Sequence, residues 1–288
     1  MYDIHHLNCG TMCPWGGRLV DGVSDGLAAR LVCHCLLVET DHGLVLVDTG
    51  YGARDVAQPH PRLSRAFTAL LRPRLLPEET ALARIHARGY RADDVRHIVL
   101  THLDFDHAGG IQDFPRAEVH VLDAELDAAR HPRGPVATGR YRPLQWDNNV
   151  RWRTYSAHGE PWFGFPAVRE LPGLPPDILL VPLAGHTVGH AGVAVRGRDR
   201  WVLHAGDAYF FREEIDPREP RCTPGLAAYQ GIMDVDRDLR LANQARLREL
   251  ARHHGGEVRI LCAHDAVELE GRGRGIGARH AARVLEPA

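Results

Sequence analysis

The stretch Thr101 to Gly110, THLDFDHAGG, places His102, Asp104, Asp106 and His107 within six positions. Imidazole and carboxylate are side chains that bind divalent cations, and their alternation, closed by an adjacent Asp-His pair, reads as a metal site on a loop. Gly109 and Gly110 let the backbone turn tightly behind those donors without a Cβ clash. One loop does not complete such a site. Further donors are available in His186 of GHTVGH, Asp207 of HAGDA and His264 of CAHDA. A carboxylate shared between two cations can hold them a few ångströms apart. Water held between such ions becomes acidic enough to give hydroxide near neutral pH.

This set resembles that of the metallo-β-lactamase-fold hydrolases, whose signature is H-x-H-x-D-H followed at a distance by a histidine, an aspartate and a histidine. The resemblance runs from about residue 30 to about residue 268 and takes in five motifs in order. The first is Asp48 in LVLVDTG, in that family a structural carboxylate rather than a ligand. The resemblance implies an α/β fold, a four-layer αββα sandwich, with two divalent metal ions. One ion would be held by His102, Asp104 and His186, the other by Asp106, His107 and His264, with Asp207 bridging. HLDFDHAGG is similar to the HLHFDHAGG of acyl-homoserine lactonases. The implied reaction is therefore the opening of a lactone, or cleavage of another carboxylic ester, by hydroxide held between the metals. Asp106 would also pass a proton to the leaving oxygen.

Asp104 departs from the pattern, since the family carries histidine there. With hydroxide counted, an aspartate takes the site from about +1 to about neutral, which weakens it as a Lewis acid. An added oxygen donor also shifts preference from zinc toward manganese or iron. Zinc remains the first expectation, and replacing Asp104 by histidine is expected to raise zinc preference. Flavodiiron proteins, relatives with this fold, have glutamate at the position and use iron. An iron-dependent oxidoreductase, of the persulfide dioxygenase or flavodiiron kind, and a phosphoester hydrolase are the alternatives.

Other residues invite plainer readings. His190 is a packing or supporting residue, and His5, His6, His253 and His254 belong to the surface or to helix ends. Tyr209 either offers a phenol to a substrate carbonyl or belongs to the core. In the lactonases the comparable tyrosine stands three places after the aspartate, where this chain has Phe210. Tyr141, Trp146, Trp152, Tyr155, Trp162, Phe163 and Phe165 concentrate in an otherwise irregular stretch, which makes them candidates for an apolar pocket wall. NCGTMCPWGG near the N-terminus reads as a loop and a candidate second wall.

The donors need strands to carry them. ARLVCHCLLVE (29–39) and GLVLVDTG (43–50) read as strands joined by a turn, RHIVLTH (96–102) as a buried strand, and AEVHVLDAELDAAR (117–130) as a strand and a helix. PEETALARIHARG (77–89) has the marks of one helix, opened by Pro and Glu and stopped by Gly89. DILLVPLAGH, HAGVAV, RWVLHAGDAYF and EVRILCAHDA supply further strands. Residues 236–256 form a helix with Asp236 as N-cap and Gly255 as stop. Asp48, His102, Asp207 and His264 each follow an apolar strand, which predicts two sheets packed face to face with helices outside and the donors meeting at one edge.

At 288 residues the chain is read as a single domain (1–288), with an aromatic-rich insertion at about 131–176 and a flexible tail at about 271–288. A net charge of −2 gives no electrostatic support for nucleic acid or an anionic membrane. The six scattered cysteines, without paired C-x-x-C spacing, read as packing thiols of a reducing compartment. With no signal-peptide pattern and no apolar run of spanning length, the expected location is the cytoplasm. The expected partner is a small molecule with an apolar portion, taken by a monomer or homodimer.

Overall fold

The computed structural model describes residues 1–146, 149–167 and 171–271. Six strands form the first sheet in sequential order: β1 (Asp3–Met12), β2 (Leu31–Thr40), β3 (Gly43–Val47), β4 (Val95–Val99), β5 (Glu118–Leu122) and β6 (Arg151–Tyr155). A short hairpin of β7 (Glu160–Trp162) and β8 (Phe165–Ala167) leads to the second sheet. That sheet contains β9 (Ile178–Pro182), β10 (Ala191–Arg196), β11 (Trp201–His204) and β12 (Val258–Leu261), in the order β12-β11-β10-β9.

Side chains alternate across a strand, so each sheet presents two apolar faces. Leu36, Val38, Val45, Val47 and Val99 of the first sheet meet Leu180, Val193, Val195 and Val202 of the second in the central core. On the outer side of the first sheet, Leu37, Leu46, Ile98 and Val119 pack under Ile85, Leu126 and Ala129 of helices Ala81–His86 and Asp123–Arg130. On the outer side of the second, Leu179, Val181 and Leu203 pack under Leu247 and Leu250 of helix Arg237–His254. These are the four layers of an αββα sandwich. That last helix starts where its sequence indicates, with the Asp236 carboxylate accepting from Leu239 N–H at 2.9 Å.

Several local expectations are corrected. The N-terminal stretch is half strand: Cys9, Thr11 and Met12 are buried in β1, which pairs antiparallel with β2. The single helix expected over 77–89 is instead a 3₁₀ turn, Pro77–Glu79, and a short helix, Ala81–His86. Thr80 divides them because its hydroxyl caps the second by accepting from Ala83 N–H. The stretch 131–176 holds helix Gly134–Arg140, the edge strand β6 and the β7–β8 hairpin. Its rings do not form one wall. Tyr141 and Trp146 join the core beneath the first sheet, while Trp162 and Phe165 join the one beneath the second. The expected flexible tail lies outside the described residues, apart from Gly271. All six cysteines are free thiols, and no helix among the described residues is long and apolar enough to cross a membrane.

Candidate metal centre

Strands β3, β4, β9, β11 and β12 all deliver a polar segment to the same edge of the sandwich. Asp48 follows β3, the 101–107 loop follows β4, His186 follows β9, Asp207 follows β11 and His264 follows β12. Backbone bonds close the two sheets together there. His34 N–H donates to Ala263 C=O at 2.8 Å and Ala191 N–H to Thr101 C=O at 2.9 Å.

The structure brings all seven sequence-derived donors together, each at most 6 % exposed. His102, Asp104, His186 and Asp207 form one cluster and Asp106, His107 and His264 another. Asp207 faces both. Its Oδ2 lies 3.7 Å from His102 Nε2 and 3.3 Å from His186 Nε2. Its Oδ1 lies 3.3 Å from His107 Nε2 and 3.1 Å from His264 Nε2. Nitrogen and oxygen donors about 2.0–2.1 Å from a zinc-sized cation stand about 3.3 Å apart in a tetrahedron, so these spacings fit an ion in each set. His102 Nε2 and Asp207 Oδ1 are buried with no hydrogen-bond partner, and both point into the cluster.

The ring orientations are fixed from behind. Asp48 accepts from Thr101 N–H and its hydroxyl, both at 2.8 Å, and from His107 Nδ1 at 2.9 Å. With its proton given to Asp48, Thr101 Oγ1 is left to accept from His102 Nδ1 at 2.9 Å. His264 Nδ1 donates to Val32 C=O at 2.8 Å. Each of these three histidines therefore turns Nε2 toward the cluster, as a hydrogen bond to the opposite ring nitrogen does for a metal-ligating imidazole. His190 is a supporting residue: Nδ1 donates to Leu183 C=O and Nε2 accepts from Asp207 N–H at 2.9 Å. Gly206, at φ 55°, brings the backbone so close to His190 that a Cβ would lie 2.6 Å from its Nε2.

The electrostatics follow from burying opposite charges together. Burial raises the Asp207 carboxyl, but His264 and His107 more than reverse this and hold it well below the usual range. Burial lowers the His107 imidazole, but Asp207 and Asp48 carry it well above its ordinary value. His102 goes the other way, down to about 4, through burial and the neighbouring His107. Asp106 is raised, chiefly by burial. At 6 % it is the most exposed of the seven, all of which are buried.

Tyr209 does not face the donors. It is fully buried beneath the second sheet, and its hydroxyl donates to Glu268 at 3.1 Å. Burial, with Asp265 beside it, pushes that glutamate up to about 8. Phe210 faces the cluster instead, stacking on His264 with centroids 5.0 Å apart and lying 5.7 Å from His186. Three residues passed over in the sequence matter here. Tyr229, from helix Pro224–Met233, packs edge-on against Phe210 at 5.7 Å. Burial and then Asp106, Asp104 and Asp207 raise its phenol. Arg140 and Glu125 are buried beside the donors. None of the three sits in a ligand motif, so sequence spacing gave no signal for them.

A third group, His97, Glu118 and His120, has donors equally close. It is engaged with its own neighbours across β4, β5 and β6. His97 Nδ1 and His120 Nε2 are 3.0 Å apart, His120 Nδ1 meets the Tyr155 hydroxyl at 2.7 Å, and Arg153 takes both oxygens of Glu118.

Comparison with known proteins agrees with this geometry. The family model described as the metallo-beta-lactamase superfamily matches residues 28–252. A Mycobacterium tuberculosis protein named "Probable metallo-hydrolase" is 45% identical over 262 residues, 91% of this chain and 80% of its own length. An N-acyl homoserine lactonase of Bacillus cereus is 24% identical over 229 residues, 79% of this chain and 80% of its own. Among solved structures, an N-acyl homoserine lactone hydrolase with the product N-hexanoyl-L-homoserine at its catalytic metal center superposes with a TM-score of 0.69. It is 23% identical and covers 94% of this chain and 96% of its own.

Proposed function

This chain belongs to the metallo-beta-lactamase superfamily, and on that premise we propose that it is a hydrolase that uses two divalent metal ions to open a lactone or cleave another carboxylic ester. The observation that carries the reading is Asp207, whose carboxylate lies between the two donor sets, with Oδ2 near His102 and His186, Oδ1 near His107, and both oxygens near His264 Nε2 at 3.2 and 3.1 Å. His102, Asp104 and His186 would hold one ion, Asp106, His107 and His264 the other, with Asp207 between them. When bound, the ions supply Lewis acidity toward a carbonyl oxygen and toward water.

The chain's own residues do the rest. Asp48 and Thr101 fix two of the imidazoles, so the donor set stands ready before substrate arrives. Asp106, besides holding an ion, would carry a proton to the leaving oxygen. Phe210, which stacks on His264, belongs to a buried apolar cluster with Met12, Leu31, Tyr51, Phe105 and Leu226. A substrate with an apolar portion is favoured by the structural neighbour, whose bound product is N-hexanoyl-L-homoserine.

The test is a panel of lactones, aryl esters and phosphoesters, run on protein reconstituted separately with zinc, manganese and iron. Turnover of lactones or esters that vanishes on metal removal is the expected result. Turnover of phosphoesters alone, or oxygen uptake by the iron form without ester cleavage, overturns it. Tyr229 gives a finer expectation. Its phenol stands one ring away from the donors, and a hydrogen bond from it to bound substrate is worth about 0.5–1.5 kcal/mol. Tyr229→Phe should therefore lower kcat/KM by about three- to tenfold with metal content unchanged. An unaltered kcat/KM means the hydroxyl does not meet substrate.

A further inference from the structure

Asp104 has a partner that its sequence neighbourhood does not reveal. Arg140, the last residue of helix Gly134–Arg140, is 1 % exposed. Its Nε lies 3.0 Å from Asp104 Oδ1, an ion pair between two buried groups. Its Nη1 donates to the His186 carbonyl at 3.0 Å, and Nη2 stands 3.0 Å from His186 Nε2. The next residue, Tyr141, forms a backbone bridge with Asp104 itself, so the chain is fastened to the metal loop where the guanidinium enters. Among the described residues, Asp104 is the one carboxylate within ion-pair distance of Arg140. A buried guanidinium without a partner is strongly unfavourable.

We propose that Asp104 and Arg140 act as one charge-balanced unit, in which the arginine cancels the negative charge that a carboxylate at position 104 adds to the metal centre. Arg140 is then a positioning residue. It holds Asp104 through Oδ1 and the His186 backbone through its carbonyl, and keeps the net charge around the cations at the value that a histidine at 104 would give with no arginine. The inference rests on the metal reading above. It adds to the expectation from sequence, because Asp104→His alone leaves a buried cation facing the metal ions and so weakens zinc binding even as preference shifts toward zinc.

The test measures zinc stoichiometry and affinity of the full-length protein by competition with a chromophoric chelator, alongside thermal unfolding. A full charge a few ångströms from a cation shifts affinity by about tenfold or more at the effective dielectric of a protein interior. Arg140→Gln should therefore bind zinc about tenfold more tightly than wild type, even while it unfolds at a lower temperature. A merely structural arginine would move affinity down with the fold. Asp104→His should bind about tenfold more weakly, the double variant should return to near wild type, and Arg140→Lys should stay close to wild type. If Arg140→Gln does not fold, the comparison of Asp104→His with the double variant carries the same test. Zinc binding that is unchanged or weakened on removing Arg140 overturns the pairing, as does tighter zinc binding by Asp104→His alone. A wild-type protein that takes up no metal overturns the metal reading and the pairing with it.

Discussion

Asp207→Ala is expected to abolish hydrolysis, a loss of at least about a thousandfold, and to leave less than one metal equivalent per chain. The carboxylate is buried, its backbone N–H is held by His190, and its two oxygens lie within 3.7 Å of His102, His186, His107 and His264. Loss of a supporting partner of a metal ligand costs about 10–100-fold in affinity or activity. On the proposed reading Asp207 is a donor common to both sets, and removing it costs more, because neither set keeps its charge. Asp207→Asn separates donor loss from charge loss, since one carbonyl oxygen can serve one ion but not two. It should retain about one equivalent and little activity. Metal analysis by mass spectrometry with ester turnover decides the matter, and two equivalents in a fully active Asp207→Ala protein would rule out the bridge.

How much of this was legible in the sequence follows from what each feature depends on. The seven donors are visible because ligand chemistry restricts residue type and the loops fix spacing, and the structure brings all seven to one edge. Buried strands such as LVCHCLLVE announce themselves as apolar runs. Strand β1 did not, because DIHHLNCGTM is half polar and gains its strand state from pairing with β2. The helix over 77–89 was broken by Thr80, whose hydroxyl makes a better cap than an interior residue. Sequence left Tyr209 open between substrate contact and core, and the structure puts it in the core with Phe210 toward the donors, because facing is decided by how the chain leaves β11, which adjacent letters do not encode. Arg140 was hidden for a deeper reason. It compensates a charge 36 positions away in sequence, and only the tertiary fold puts the two groups within 3.0 Å.

Glu125 extends that last point to stability. It lies on helix Asp123–Arg130 and is fully buried. Its Oε1 accepts from Leu103 N–H at 2.9 Å, inside the first donor loop. Its Oε2 accepts from the Thr187 hydroxyl at 2.6 Å and Gly189 N–H at 3.2 Å, inside the loop of His186. One carboxylate thus ties together two segments that must present donors to the same cations. Gly189 allows this approach, since a Cβ there would lie 2.2 Å from Glu125 N. Burial raises the Glu125 pKa, against the bonds from Thr187 and Leu103 that favour its charged form. Glu125→Ala would leave three buried donors unsatisfied, at about 1–3 kcal/mol each. We expect a destabilisation of about 3–5 kcal/mol in denaturant unfolding and metal affinity lowered by about 10–100-fold. Glu125→Gln keeps an acceptor for one loop and turns an N–H toward the other, so it should lose about half as much stability while still weakening metal binding. An alanine variant with wild-type metal affinity would show that the loops hold their geometry unaided, and would remove Glu125 from the account of the site.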